Sequence, residues 1–210
     1  MIERAATPSK ILDAAEKLFG INGFEATSLR DITSEADVNL AAVNYHFQSK
    51  DSLIDAVIAR RIEPINRQRL EMLDAAGPDP SLEQILEAFV TPVLDLDLEP
   101  LVPLMGRIFS NPSQFLDRVF NRHLTGVSQR FAEALGKALP EVPQAERMWR
   151  LHFSLGAVTH VLRWATVLPA MTGGACDLTD RRALIARAVL FLAAGFRAPI
   201  HAGAYALQRT

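Results

Sequence analysis

Apolar residues in this chain recur three and four positions apart almost throughout, and no stretch sustains the alternation of a half-buried strand. The pattern predicts an all-α protein. Ile11, Leu12, Ala15, Leu18 and Phe19 share one face of a first helix, with Thr7-Pro8 read as its cap and first-turn proline and Gly23 as its stop. Thr27 is read as the cap of a short second helix that turns Leu29, Ile32 and Ala36 inward. Asp37-Val38-Asn39 reads as a tight turn, with Asp37 suited to a left-handed backbone. Asn39 caps a third helix, in which Val38 and Val43 have the spacing of a hydrophobic staple. Two short helices joined by a tight turn and packed on a longer one follow helix-turn-helix logic.

A fourth helix is predicted from Ser49-Lys50-Asp51-Ser52, with Pro64 ending or kinking it although the pattern resumes as far as Leu73. Ala76-Gly77-Pro78-Asp79-Pro80 is the clearest linker. Further helices are expected near 81–97, 100–110, 113–138, 144–168 and 180–197, divided by turns that carry proline or glycine. Two domains follow, a small one over 1–50 and a larger one over 51–210 that opens with a connecting helix over 51–75.

With 210 residues, 49% of them apolar, the chain can bury a real core. Its uncharged apolar stretches fall short of a membrane span, its start lacks a signal-peptide pattern, and its single cysteine, Cys176, suits a reducing cytoplasm. Charge alone does not point to nucleic acid. The net charge is −2, and the first sixty residues carry six Lys/Arg against nine Asp/Glu, a balance of −3. The distribution is more informative: Val38 to Lys50 contains no acid but does contain a lysine and a histidine. DNA contact needs donors and positive charge only where phosphates lie.

The stretch Phe24-Glu25-Ala26-Thr27-Ser28-Leu29-Arg30-Asp31-Ile32, followed by Val38 to Leu53 with its Asn44-Tyr45-His46-Phe47 run, resembles the DNA-binding domain of TetR/AcrR regulators over about the first sixty residues. The resemblance implies an all-helical homodimer whose small N-terminal domain binds operator DNA. A divergent C-terminal domain would dimerise and bind a ligand. The residues read the same way. With Val43 and Phe47 buried, the third helix presents Leu40, Ala41, Asn44 and Tyr45, and Asn39 opens the same face. Small side chains at Ala41 and Ala42 allow close approach to the major groove. The Asn44 amide matches the N6/N7 edge of adenine, and Leu40 or Ala41 could meet a thymine methyl. Thr27 and Ser28 suit a phosphate at a helix start, and the resemblance assigns Tyr45, His46 and Lys50 to the DNA backbone. For Tyr45 and His46, packing within the small domain is the competing reading. Many family members have tyrosine at the position of Asn44 and glycine at that of Asp37, which leaves the base assignments open. The Asn-Tyr-His-Phe run, with Ala59 to Leu70, is similar to PsrA-type regulators, which respond to long-chain fatty acids.

Residues 85–120 are rich in large apolar side chains, some of which would form core and others a ligand cavity. The candidates for ligand contact are Phe89, Met105, Arg107, Phe109 and Phe115, with Trp149, His152, Phe153 and His160 from the helix near 144–168. Arg107 is open to either a ligand carboxylate or an intraprotein ion pair. His152, Gly156 and His160 recur at successive turns, suiting the pocket or a dimer seam. Two histidines eight apart, with no supporting cysteine or acid, do not make a metal site. The resemblance makes this helix and the one over 180–197 the dimer interface, through Gly156, Trp164, Leu184, Ala188, Phe191, Leu192 and Gly195. No nucleophile elbow, phosphate loop, paired catalytic acids or metal-ligand cluster is present, so neither an enzyme nor a cofactor is expected. The expected partners are double-stranded operator DNA, a small hydrophobic effector (a fatty acid or acyl thioester) and a second copy of the chain, with no membrane. The alternatives are an all-α lipid-binding protein or a thiol-based redox regulator acting through Cys176. A non-specific architectural DNA protein fits poorly with an acidic small domain.

Overall fold

The computed structural model describes residues 3–95, 106 and 117–200, with side-chain environments from Thr7 onward. Among these residues all regular structure is helical, as the periodicity predicts: α1 (Glu3–Asn22), α2 (Leu29–Ala36), α3 (Leu40–Phe47), α4 (Lys50–Ala75), α5 (Leu82–Leu94), α6 (Thr125–Ala138), α7 (Gln144–Trp164), α8 (Leu168–Met171) and α9 (Arg181–Arg197). A π-helical turn, Phe120–Leu124, leads directly into α6. The expected helix over 100–110 and the start of the one over 113–138 lie outside the described residues.

The chain divides into two compact units, one drawn from Met1–Asn66 with Asp97–Thr125 and the other from Arg67–Leu96 with Gly126–Thr210. The division falls inside α4.

In the first unit α1, α2 and α3 pack pairwise. Their shared core includes Ile11, Phe19, Ile32 and Leu53, all fully buried, together with Val43. The start of α2 departs from expectation. Ser28, not Thr27, is the cap: its Oγ accepts the Asp31 amide at 3.2 Å while its own amide donates to Asp31 Oδ2 at 2.9 Å, a reciprocal capping box. The Ser28 hydroxyl also donates to Asp31 Oδ2 at 2.7 Å; this bond, with that from the Ser28 amide, favours the ionised carboxylate and holds Asp31 below the usual carboxylate range. Thr27 is fully buried, and its hydroxyl donates to the carbonyls of Gly23 (2.8 Å) and Leu18 (3.2 Å) at the C-terminal end of α1.

Asp37 takes the left-handed conformation (φ 51°), and Asn39 caps α3 by accepting the Ala42 amide at 2.8 Å, both as the local chemistry predicts. Gly23 (φ 88°) does end α1. The beginning of α1 differs, because the helix extends upstream of Thr7-Pro8 and encloses the proline. Pro8 sits near the N-terminus, where the carbonyl it deprives of a partner is easily served by water. Pro64 likewise lies inside α4, which neither ends nor restarts there. The flanking Ile62 and Ile65 are both buried, and that burial offsets the one backbone hydrogen bond the proline removes.

In the second unit α5 packs on α9, and α7 contacts both. Ser81 and Gln84 form a capping box at the start of α5. Ile85, Leu86, Leu94, Phe131, Leu135 and Phe196 are the large, fully buried side chains of this core. The helix expected over 144–168 stops at Trp164 and is followed by the short α8. No helix among the described residues is long and apolar enough to cross a membrane.

Candidate nucleic-acid interface

Eight residues of α3 divide cleanly between core and solvent. Val43 is buried, while Ala42 and Phe47 pack partly against the core of the first unit. Leu40, Ala41, Asn44, Tyr45 and His46 are exposed. Tyr45 keeps 78% of its surface, a large aromatic that its own unit leaves uncovered. Its ring meets His46 edge-on at 5.0 Å, and His46 meets Phe47 at 6.3 Å, so His46 bridges the exposed and half-buried sides of the helix end. The packing alternative for Tyr45 therefore does not describe this fold.

Two expected DNA contacts turn inward instead. Thr27 is enclosed, and its hydroxyl serves the exit of α1, so it has nothing to offer a phosphate. Ala42 lies against the core, and its amide is consumed by the Asn39 cap. Ser28 and Asn39 are exposed but act as caps, and Lys50 donates to the Glu25 carbonyl at 3.2 Å. Gln48 ends α3 with φ 64° and returns its amide to the Asn44 carbonyl at 3.1 Å. Glutamine, unlike aspartate or asparagine, does not signal a positive φ in sequence.

Thr27→Val, which keeps the shape and removes the hydroxyl, is expected to destabilise the protein by about 1–3 kcal/mol in urea unfolding. Operator affinity measured well below the unfolding midpoint should remain at the wild-type value. A specific loss of DNA affinity with normal stability would return Thr27 to the interface.

The larger residues proposed for the second unit also separate. Phe89 is buried, edge-on to Phe131 at 5.6 Å, and the Arg69 guanidinium lies 4.6 Å above its ring centroid. Arg69 Nε donates to the Phe89 carbonyl at 3.0 Å. Burial pushes the pKa of this guanidinium down to about 10. A base depressed in this way opposes folding at every pH below about 10, and the penalty is relieved only as the pH rises through that value.

Trp149, His152, Phe153 and His160 stand on the solvent side of α7, whose inner side carries Arg150, Leu151, Ser154, Val158 and Leu162. They are therefore not lining the interior of their own unit. Trp149 and Phe153, 55% and 65% exposed, stack at 5.7 Å, and His160 lies 5.8 Å from Trp164. On α9, Leu190 and Phe191 keep 69% and 72% of their surface, while Leu192 is buried within its own unit and has little surface to give a partner. Gly156, Trp164 and Gly195 are exposed, and Leu184 and Ala188 half-buried. Met105, Arg107, Phe109 and Phe115 lie outside the described residues.

A short helix held by its caps, with its apolar side in a small three-helix core and a polar and aromatic side left open, is the geometry of a helix-turn-helix DNA reader. Comparison with known proteins places this reader in a family. The profile described as "Bacterial regulatory proteins, tetR family" matches residues 11–57, and "Tetracyclin repressor-like, C-terminal domain" matches residues 87–195. The HTH-type transcriptional repressor Rv3405c of Mycobacterium tuberculosis is 31% identical over 172 residues, covering 81% of this chain and 82% of the relative. Among solved structures, the fatty acid degradation regulator FadR from Bacillus halodurans superposes with a TM-score of 0.68 at 17% identity, covering 92% of this chain and 97% of that one. FadR from Bacillus subtilis, solved in complex with stearoyl-CoA, gives 0.64 at 14% identity, with 92% and 99% covered. The chain belongs to the TetR family of bacterial transcriptional regulators. It is a DNA-binding regulator and not an enzyme.

Proposed function

We propose that this protein acts in the cytoplasm as a homodimeric repressor that is released from its operator by a small hydrophobic effector. The observation that carries the reading is the uncovered face of α3, where Asn44 and Tyr45 stand free of the core. Two copies of α3 enter successive major grooves of a near-palindromic site, about one helical turn apart. Leu40, Ala41 and Asn44 meet base edges, while Tyr45, His46 and Lys50 meet the backbone, with Ser28 and Asn39 close beside them.

Dimerisation is supported by the apolar surface left open on α7 and α9: Trp149, Phe153, Trp164, Leu190 and Phe191. Exposed aromatic and aliphatic groups of this size mark association surfaces. A Cβ added at Gly156 or Gly195 would meet nothing within 4 Å, so the chain's own packing does not require glycine at either position. Small residues there suit close approach by a second copy.

Coupling to the reader is supported by the contacts of the π-helical turn with α4, the helix that follows α3. His123 Nε2 lies 2.9 Å from Asp55 Oδ1, Arg122 pairs with the other Asp55 oxygen at 2.9 Å, and Asn66 donates to the His123 carbonyl at 2.7 Å. A shift of this turn would move α4, and with it the reading head. The effector is a long-chain acyl compound, as the PsrA-like stretches suggest and as the fatty-acid regulators of the same fold encourage. By linkage, such an effector binds the DNA-bound dimer less tightly by the same factor that it lowers DNA affinity.

The test is a titration of the chain's own upstream DNA with and without palmitate or palmitoyl-CoA. Specific binding that either compound weakens supports the reading. Specific binding indifferent to both keeps the regulator and discards the acyl effector.

A further inference from the structure

Arg69 is a buried cation with one hydrogen bond and no ion pair among the described residues. Its position continues the inward stripe of α4, where Ile58, Ile62, Ile65 and Leu73 are all buried, so a guanidinium occupies a place in the repeat meant for an apolar side chain. It is 7% exposed. Of its five N–H donors, the one on Nε reaches the Phe89 carbonyl. That carbonyl lies in the turn of α5 disturbed by Pro92, which offers no amide to Ala88. A neutral donor would satisfy it equally well. The other four N–H groups have no acceptor among the described residues, and no described carboxylate pairs with them.

Arg150 in the same unit shows what a structural buried arginine looks like. It is 8% exposed, and each of its nitrogens has a partner: Nε with Glu146 at 2.7 Å, and the two terminal nitrogens with the carbonyls of Phe196 and Ala198. Burying a charge without such partners is strongly unfavourable, and an anion that paired with the guanidinium would relieve that cost. The Phe89 ring lies against the guanidinium and is itself braced by Phe131, which fixes the plane of the fork. The planar fork fits a carboxylate and a phosphate alike, but beside aromatic and aliphatic groups one guanidinium offsets the single charge of a carboxylate and not the several of a phosphate.

We propose that Arg69 is the anion anchor of the effector site, taking the terminal carboxylate of an apolar effector in a bidentate pair beside the Phe89 ring. The assignment rests on the reading that the second unit binds a hydrophobic small molecule, and it narrows that reading to a free carboxylic acid rather than its thioester.

Binding of palmitate and methyl palmitate to the full-length protein, measured by calorimetry alongside benzoate and methyl benzoate, tests it. Wild type is expected to prefer palmitate over its ester by about tenfold or more, and Arg69→Gln is expected to erase that preference while still binding the ester. Arg69→Met, which keeps the bulk of the stem, serves if the glutamine variant does not fold. Equal wild-type affinity for acid and ester, or an unchanged preference in a folded variant, overturns the assignment. If benzoate binds in an Arg69-dependent way and palmitate does not bind, the anchor stands and the acyl reading falls. If palmitate and its ester bind wild type and variant alike, the acyl reading stands and the anchor falls. If no carboxylate favours wild type over the variant, Arg69 is not the anchor.

Discussion

Asn44→Ala is expected to lower operator affinity by roughly thirtyfold or more while leaving the unfolding midpoint where it was. The estimate follows from one good bidentate amide-to-adenine contact, about 1–3 kcal/mol, used once in each half of a two-fold site. The side chain is exposed and belongs to no core or cap, whereas the Asn44 carbonyl, which the substitution keeps, holds the Gln48 amide. Alanine is also the better helix former, so α3 should not fray. Affinity should fall most for sites that carry adenine at the contacted position and should flatten the preference among variant sites. Titration of labelled operator and of single-base variants reads both effects. Wild-type affinity and unchanged base preference in this variant would remove Asn44 from the interface and shift the reading onto Leu40, Ala41 and Tyr45.

Phe19→Ala is expected to destabilise the protein by about 3–5 kcal/mol, the usual loss for a fully buried phenylalanine. Phe19 is completely enclosed, and its ring packs on Phe24 at 5.2 Å, beneath α2 and α3. A cavity there loosens the frame that orients α3. DNA affinity and stability should therefore fall together, unlike the Asn44 variant, in which only DNA affinity falls. Urea unfolding followed by circular dichroism gives the stability, and the same operator titration gives the rest. A loss below about 1 kcal/mol would mean that the reading unit closes around the missing ring and does not depend on tight packing for its shape.

The parts of this fold that sequence made legible are those fixed by local chemistry. Asp37 and Asn39 announced the turn and the cap before α3 because few side chains tolerate a left-handed backbone or reach back to an amide three residues on. The start of α2 lies one residue beyond its expected place because Thr27 and Ser28 are both good caps. Only packing against the end of α1 decides which hydroxyl turns inward. The persistence of α4 through Pro64 was hidden for a similar reason, since burial of Ile62 and Ile65 is a property of the folded chain.

In α7 the helix is apolar on more than one side. Periodicity could not say that Leu151 and Val158 face inward while Trp149 and Phe153 face out. The spacing of Arg69 from Ile65 and Leu73 sets a charge on an apolar stripe.

Specific recognition of DNA through α3 is the central claim, and a footprint on the chain's own upstream DNA, with random DNA of equal length as competitor at one fixed salt concentration, tests it most directly. The account predicts two protected patches centred about one helical turn apart and an affinity at least about a thousandfold above that for random DNA. Equal affinity for both DNAs, with no discrete footprint on any upstream segment, would contradict it.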